Sequence, residues 1–285
     1  MSGLLTAIRA EFFVALRSFG SKLVVLAPGV LVILQFGITK LTETGAAARD
    51  SLLGNSNFDA AIANNAYGYF VDGLKTGLTM LGLLLVAQAA YSFSYERDIG
   101  TLRHLLIRRS SRSSIICAKL VNLHVQALLS VCVLLLCSWW FAGLFWEYGP
   151  VVEDGFELIS VAEIQTEIHS GLLLALLPLP AAIAFGLLVS VSAQSATQAV
   201  TTALGLTLAM DIFKTMLGDY GYYLYARFQP SLLDQSYLQD VSRLVRGYSD
   251  VLIDERMHQL NLWVPLPTLL VFIILALIIV RVKKV

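Results

Sequence analysis

Two acid–base pairs stand out among the residues able to do chemistry: Asp72 with Lys75, and Asp211 with Lys214, each pair three residues apart beside or within an apolar run. At that spacing both members share one helix face, and ionisable groups in or near a membrane are functional candidates by default. The simpler reading is local pairing and anchoring, since lysine can snorkel to the interface. The sharper one is that the four charges line the outer mouth of a translocation path. Nothing else suggests bond-making. The histidines, His104, His124, His169 and His258, are not paired at ligand spacing, and Cys117, Cys132 and Cys137 contain no Cys-x-x-Cys, so neither a metal site nor a disulfide framework is expected. The thiols read as small buried side chains. No Gly-x-x-x-x-Gly-Lys-Ser/Thr loop is present to cradle a nucleotide phosphate, and no catalytic residue is expected.

Docking is the chemistry of the one remaining cluster. Tyr95 to Lys119 carries Arg97, Arg103, Arg108, Arg109, Arg112 and Lys119 against Glu96 and Asp98, between two long apolar runs. The arginines fix topology in any case. They do not explain why Leu102, Leu105 and Leu106 fall on one face, which makes this basic amphipathic segment a candidate to dock in a partner's groove.

The elements that must position these residues are membrane spans. Hydrophobic residues make up 57% of the chain and charged residues 14%, with a mean hydropathy of +0.73, far from the composition of an average soluble domain. Apolar stretches near Leu23 to Ile38, Asp72 to Ser92, Ile115 to Trp146, Gly171 to Ser192, Thr197 to Leu217 and Leu262 to Val280 approach or exceed the roughly 20 residues a crossing needs. Six crossings put both termini on one side. Arg9, Arg17 and Lys22, the basic segment, and Arg281, Lys283 and Lys284 place that side in the cytoplasm. The loop after the third span has acidic residues and no Lys or Arg, as expected outside. Trp139, Trp140, Trp146 and Trp263 suit an interfacial aromatic belt. With a net charge of +0, no attraction to nucleic acid is expected.

The first run is expected to be a retained span rather than a signal peptide, because the region before it is too long and the small residues Ala46 to Ala48 lie well past it. Leu5, Ile8, Phe12, Leu16 and Phe19 recur at spacings of three and four, predicting an interfacial helix at the amino end. Ser160-Val-Ala-Glu163 is a capping box that starts a helix leading into the fourth span. Pro178 and Pro180 predict a kink there. Small residues from Ser190 to Ala203 permit close helix approach. Leu233, Tyr237, Val241, Leu244, Tyr248 and Val251 predict an amphipathic helix resting on the external membrane surface or on the spans.

Tyr95-Glu-Arg-Asp-Ile-Gly-Thr-Leu102, followed by Leu105, Leu106, Arg112 and Lys119, resembles the segment after the second span in type-2 ABC (ATP-binding cassette) exporter permeases, where a Glu-Arg-x-x-Gly-Thr-Leu run forms a coupling helix. The six-span layout, the amino-terminal interfacial helix and the short turn from Ser192 to Thr197 extend the resemblance over the whole chain. Ser110 stands where that family commonly has proline. The resemblance implies an all-α polytopic membrane protein, a single transmembrane domain over residues 1–285 with a coupling helix between spans two and three and external amphipathic helices. It implies a multi-pass protein of the cytoplasmic (inner) membrane that moves substrate while two separate ATPase subunits bind ATP and Mg. It further implies a dimer with a second permease copy or homologue, and allows an external accessory protein. Glu96, Arg97, Gly100, Thr101, Leu102, Leu105, Leu106 and Arg109 are the expected ATPase contacts, with Gly100 giving a tight bend and Thr101 capping the next turn.

Two other readings stay open. A self-contained secondary transporter would need buried ionisable residues at mid-membrane and broken helices in two repeats, whereas the charges here sit near span ends. A permease could also couple ATP hydrolysis to an external partner without bulk transport.

Overall fold

The structure is a computed structural model that describes residues 2–53, 65–101, 111–153, 156–214, 216–232, 236–247 and 255–282. Helix α1 (Ser2–Arg17) is followed by α2 (Phe19–Leu53), α3 (Ala66–Asp98) and α4 (Arg112–Phe145). A hairpin of β1 (Val151–Glu153) and β2 (Phe156–Ile159) leads to α5 (Val161–Leu176), α6 (Leu179–Ser192) and α7 (Ala196–Phe213). Two short 3-10 turns then precede α8 (Tyr237–Val245), α9 (Glu255–Trp263) and α10 (Pro265–Val282). Among the described residues there are six segments long and apolar enough to cross a membrane: α2, α3, α4, α5 with α6, α7, and the stretch from His258 to Val282. The protein is all-α apart from the hairpin, and it spans a membrane.

Local chemistry explains most boundaries. Asn65 accepts from the amide of Tyr67 to cap α3, Ser111 accepts from Ser114 to cap α4, and Ser195 accepts from Gln198 to cap α7. The Ser160 and Glu163 capping box is formed at the start of α5. Pro178 breaks the hydrogen-bond ladder between α5 and α6 while Leu177 and Pro178 both keep right-handed helical dihedrals, so the fourth span runs from Val161 to Ser192 with the expected interruption at the prolines. Pro265 begins α10 in the same way, at a position where a missing amide costs little.

The ends run past the apolar stretches. Helix α2 has 35 residues, about 50 Å of helix against a hydrocarbon core of about 30 Å. Helical propensity carries it on through Ala46 to Ala48 after the apolar run has ended. The Asp154-Gly155 dipeptide that joins β1 to β2 in sequence is a hairpin signal that the span-based reading passed over.

Helix α3 is the hub, packing on α2, α4, α6, α7 and α8. Its crossing with α6 is close: a Cβ on Gly186 would lie 2.7 Å from the Val86 carbonyl oxygen and 2.8 Å from the Ala89 Cβ. Ser190 of α6 accepts from the amides of Phe93 and Ser94 at 3.2 and 3.0 Å. Gly186→Leu is therefore expected to destabilise the protein by about 1–3 kcal/mol through overpacking, read as a lower thermal midpoint in detergent. An unchanged midpoint would mean the crossing is looser than this.

Helix α1 and the last turns of α10 come to one end of the bundle. Lys119 bonds Glu11 of α1, and Arg112 donates to the Val280 carbonyl of α10 at 3.2 Å. This is called the near end below, and the end with the hairpin and α8 the far end.

Several expectations change. In α1 Leu5 and Leu16 are exposed and Ile8 and Phe12 half-buried, while Ala7 and Glu11 turn to the bundle; Phe19, the last residue of the predicted stripe, lies past a break at Ser18 as the exposed first residue of α2. Trp146 does not join an aromatic belt: it is buried, stacked on Tyr69 at 3.8 Å and donating to Glu43 at 2.9 Å. The three cysteines are free thiols, none fully buried: Cys132 is exposed, whereas Cys137 is half-buried and faces Gly29 of α2. Helix α8 packs on α3 and α5 through Tyr237, Leu238, Val241 and Val245, so it rests on the spans. Leu244 lies at the edge of that face, and Leu233, Tyr248 and Val251 fall outside the described residues.

Candidate functional site

At the near end a cavity of about 530 Å³ lies between α1, the start of α2, α3 and α4. Its wall includes Lys119, only 2% exposed, whose Nζ donates to Glu11 at 2.8 Å and Glu96 at 2.5 Å. One ammonium thus joins three helices. Such a buried ion triad does little for net stability compared with apolar packing, but it fixes one arrangement and penalises others strongly. Ser18, Ser21, Gln88, Ser92 and Asn122 add polar groups to the wall, and Tyr91 and Tyr95 stack on each other there at 4.6 Å.

The polar side of α4 continues beyond Lys119 through Asn122, Gln126 and Ser130, all buried. Ser130 donates to the Val24 carbonyl of α2 at 3.0 Å, whereas neither amide atom of Gln126 has a hydrogen-bond partner among the described residues. Their spacing of three and four was visible in the sequence as polar residues on one face of an apolar helix.

The basic segment begins at the same place. Ile99 closes α3, and Gly100 takes a φ of +76°, the left-handed conformation that suits glycine after a helix end. Thr101 donates to the Glu96 carbonyl at 3.1 Å, so its hydroxyl acts backward on the last turn of α3. Asp98 accepts from the Ala196 amide at 2.6 Å and so caps α7. The final turns of α3 are thereby tied to α1 and α4 through Glu96 and to α7 through Asp98. Glu96 faces into the bundle and Arg97 is half-buried. Leu102, Leu105, Leu106 and Arg109, with His104, lie outside the described residues.

At the far end the two sequence pairs behave differently. Asp72 accepts from Ser242 at 2.6 Å and Arg246 at 2.5 Å, and Lys75 donates to Gln239 at 2.6 Å. Both reach across to α8, a connection that the i,i+3 spacing alone does not reveal. Asp211 and Lys214 do pair within one helix end, at 2.7 Å, and Lys214 also donates to Ser231 at 2.6 Å. Lys75 borders a cavity of about 300 Å³. Asp211 borders a pocket of about 20 Å³, room for a single water. The two spaces share Thr79, Leu83, Ser231 and Leu232 as walls, while Asp72 and Lys214 border neither. At the start of α8, burial and the Glu167 carboxylate to which Tyr237 donates push that phenol up to about 12, leaving it a neutral donor near neutral pH. No group of three or more metal-ligating side chains occurs among the described residues.

Six candidate spans in a chain that is almost wholly helical define a polytopic all-α membrane protein. The family model for ABC-2 family transporter proteins matches residues 8–282, and the chain belongs to that family. No curated protein and no solved structure matches the chain.

Proposed function

We propose that this membrane subunit is the permease of an ABC exporter, driven by separate ATPase subunits that bind ATP and Mg and dock on the Tyr95–Lys119 segment. In this reading the near end is cytoplasmic and the membrane is the inner membrane. The protein works as a dimer with a second permease.

The observation that carries the reading is the wiring of α3's last turns. A displacement of the docked segment reaches α1 and α4 through Glu96, Lys119 and Glu11, and α7 through Asp98. Binding energy changes at an ATPase could therefore bias several helices together, as coupling between sites requires. Glu96 acts in this scheme as a transmitting group, and Leu102, Leu105, Leu106 and Arg109 as contacts. At the far end, Lys75 and Asp211 border adjoining spaces that form the outer part of the path.

Co-purification tests the docking directly. An ATPase subunit is expected to associate with the wild type and to be lost when Leu102→Asp is combined with Leu105→Asp. No association with the wild type, or equal association of the variant, would overturn the assignment.

A further inference from the structure

We propose that the near-end cavity binds an organic ammonium cation, carried by a headgroup or an amphipathic amine. Its volume of about 530 Å³ is that of a small-molecule site, and its chemistry is selective. Two carboxyl groups, Glu11 and Glu96, face one ammonium, Lys119, so the wall holds one more acidic group than basic ones and offers carboxyl oxygens to a cation. Tyr91 and Tyr95 border the same space as a stacked pair, 39% and 40% exposed. Aromatic faces beside an acidic group are how quaternary ammonium ions are held.

Open acceptors point the same way. Asn122 borders the cavity and is 7% exposed, yet its Oδ1 has no donor among the described residues. The buried Oε2 of Glu96 also has none. An uncompensated acceptor in such a place costs free energy unless a ligand or water supplies the donor. An alkylammonium group brings a cation to the carboxyl oxygens, and its N–H or polarised C–H groups meet the acceptors, while Val14 and Leu123 meet its apolar part.

As a binding site the cavity stands on this geometry; as a transport or regulatory site it rests on the permease reading above. The two separate experimentally, because ligand binding needs no ATPase. The probe is radiolabelled dodecyltrimethylammonium, titrated onto the purified full chain in nanodiscs of phosphatidylglycerol. Saturable binding is expected, weakened on the order of tenfold when both Tyr91→Leu and Tyr95→Leu are present. Asn122→Leu is expected to weaken it too, and either variant should keep the wild-type thermal midpoint. Phosphatidylcholine nanodiscs distinguish the sources: loss of probe binding there assigns the site to a lipid headgroup, and retention assigns it to a free amine. Equal competition by the neutral analogue with carbon in place of nitrogen would overturn the proposal, as would unchanged affinity in a folded tyrosine double variant.

Discussion

Lys119→Met is expected to be among the most damaging single substitutions in the chain, costing about 3–5 kcal/mol. The reason is the asymmetry of buried charge. Lys119 is 2% exposed and joins Glu11 and Glu96, whose side chains are 14% and 20% exposed. Removing the ammonium leaves two neighbouring carboxylates that neither water nor a counter-charge fully stabilises, and that repel each other. Removing all three charges is different. Glu11→Gln, Glu96→Gln and Lys119→Met together should recover most of the lost stability, since apolar or neutral replacement of a buried ion cluster is often close to neutral.

Transport separates the two roles. If the triad transmits motion from the docked segment, the triple variant should fold, retain its ATPase and still fail in ATP-driven transport. Thermal midpoints in detergent and transport in reconstituted vesicles read these outcomes. A single Lys119→Met variant as stable as the wild type would remove the energetic argument. A triple variant transporting at the wild-type rate would remove the transmitting role.

Sequence pattern exposed the spans because hydrocarbon length and apolar composition are directly linked, and the capping box at Ser160 and the break at Pro178 because their chemistry is local. What stayed hidden depends on contacts between elements far apart in sequence. Glu11 and Lys119 are 108 residues apart, and Asp72 and Arg246 are 174 apart. Neither partner choice follows from helical spacing, which correctly flagged Asp72 and Lys75 as a shared face but missed that both serve α8. Trp146 shows the same limit, since its place at the end of an apolar run suits an interface until Tyr69 and Glu43 are brought against it. Asn122 and Gln126 were legible as a polar stripe, and required only that the third span be read by face as well as by length.

The same energetic reasoning ranks the far-end charges. The Asp72–Arg246 pair is 27% and 18% exposed, so Asp72→Asn is expected to cost no more than about 1–2 kcal/mol, a charge-assisted hydrogen bond partly replaced by the amide. Lys214 is 0% exposed and Asp211 9% exposed, at 2.7 Å. Lys214→Met should therefore cost about 3–5 kcal/mol by stranding the carboxylate, and Asp211→Asn with Lys214→Met should recover much of that. The double variant then isolates function from folding. With Lys75→Met added, it removes the charges that border the two far-end spaces. If those charges shape the outer path, the stable triple variant loses transport while ATPase association stays intact. Undiminished transport by that variant would confine Asp211 and Lys214 to holding the end of α7 against Ser231, and Lys75 to holding α8, with the path running elsewhere in the bundle.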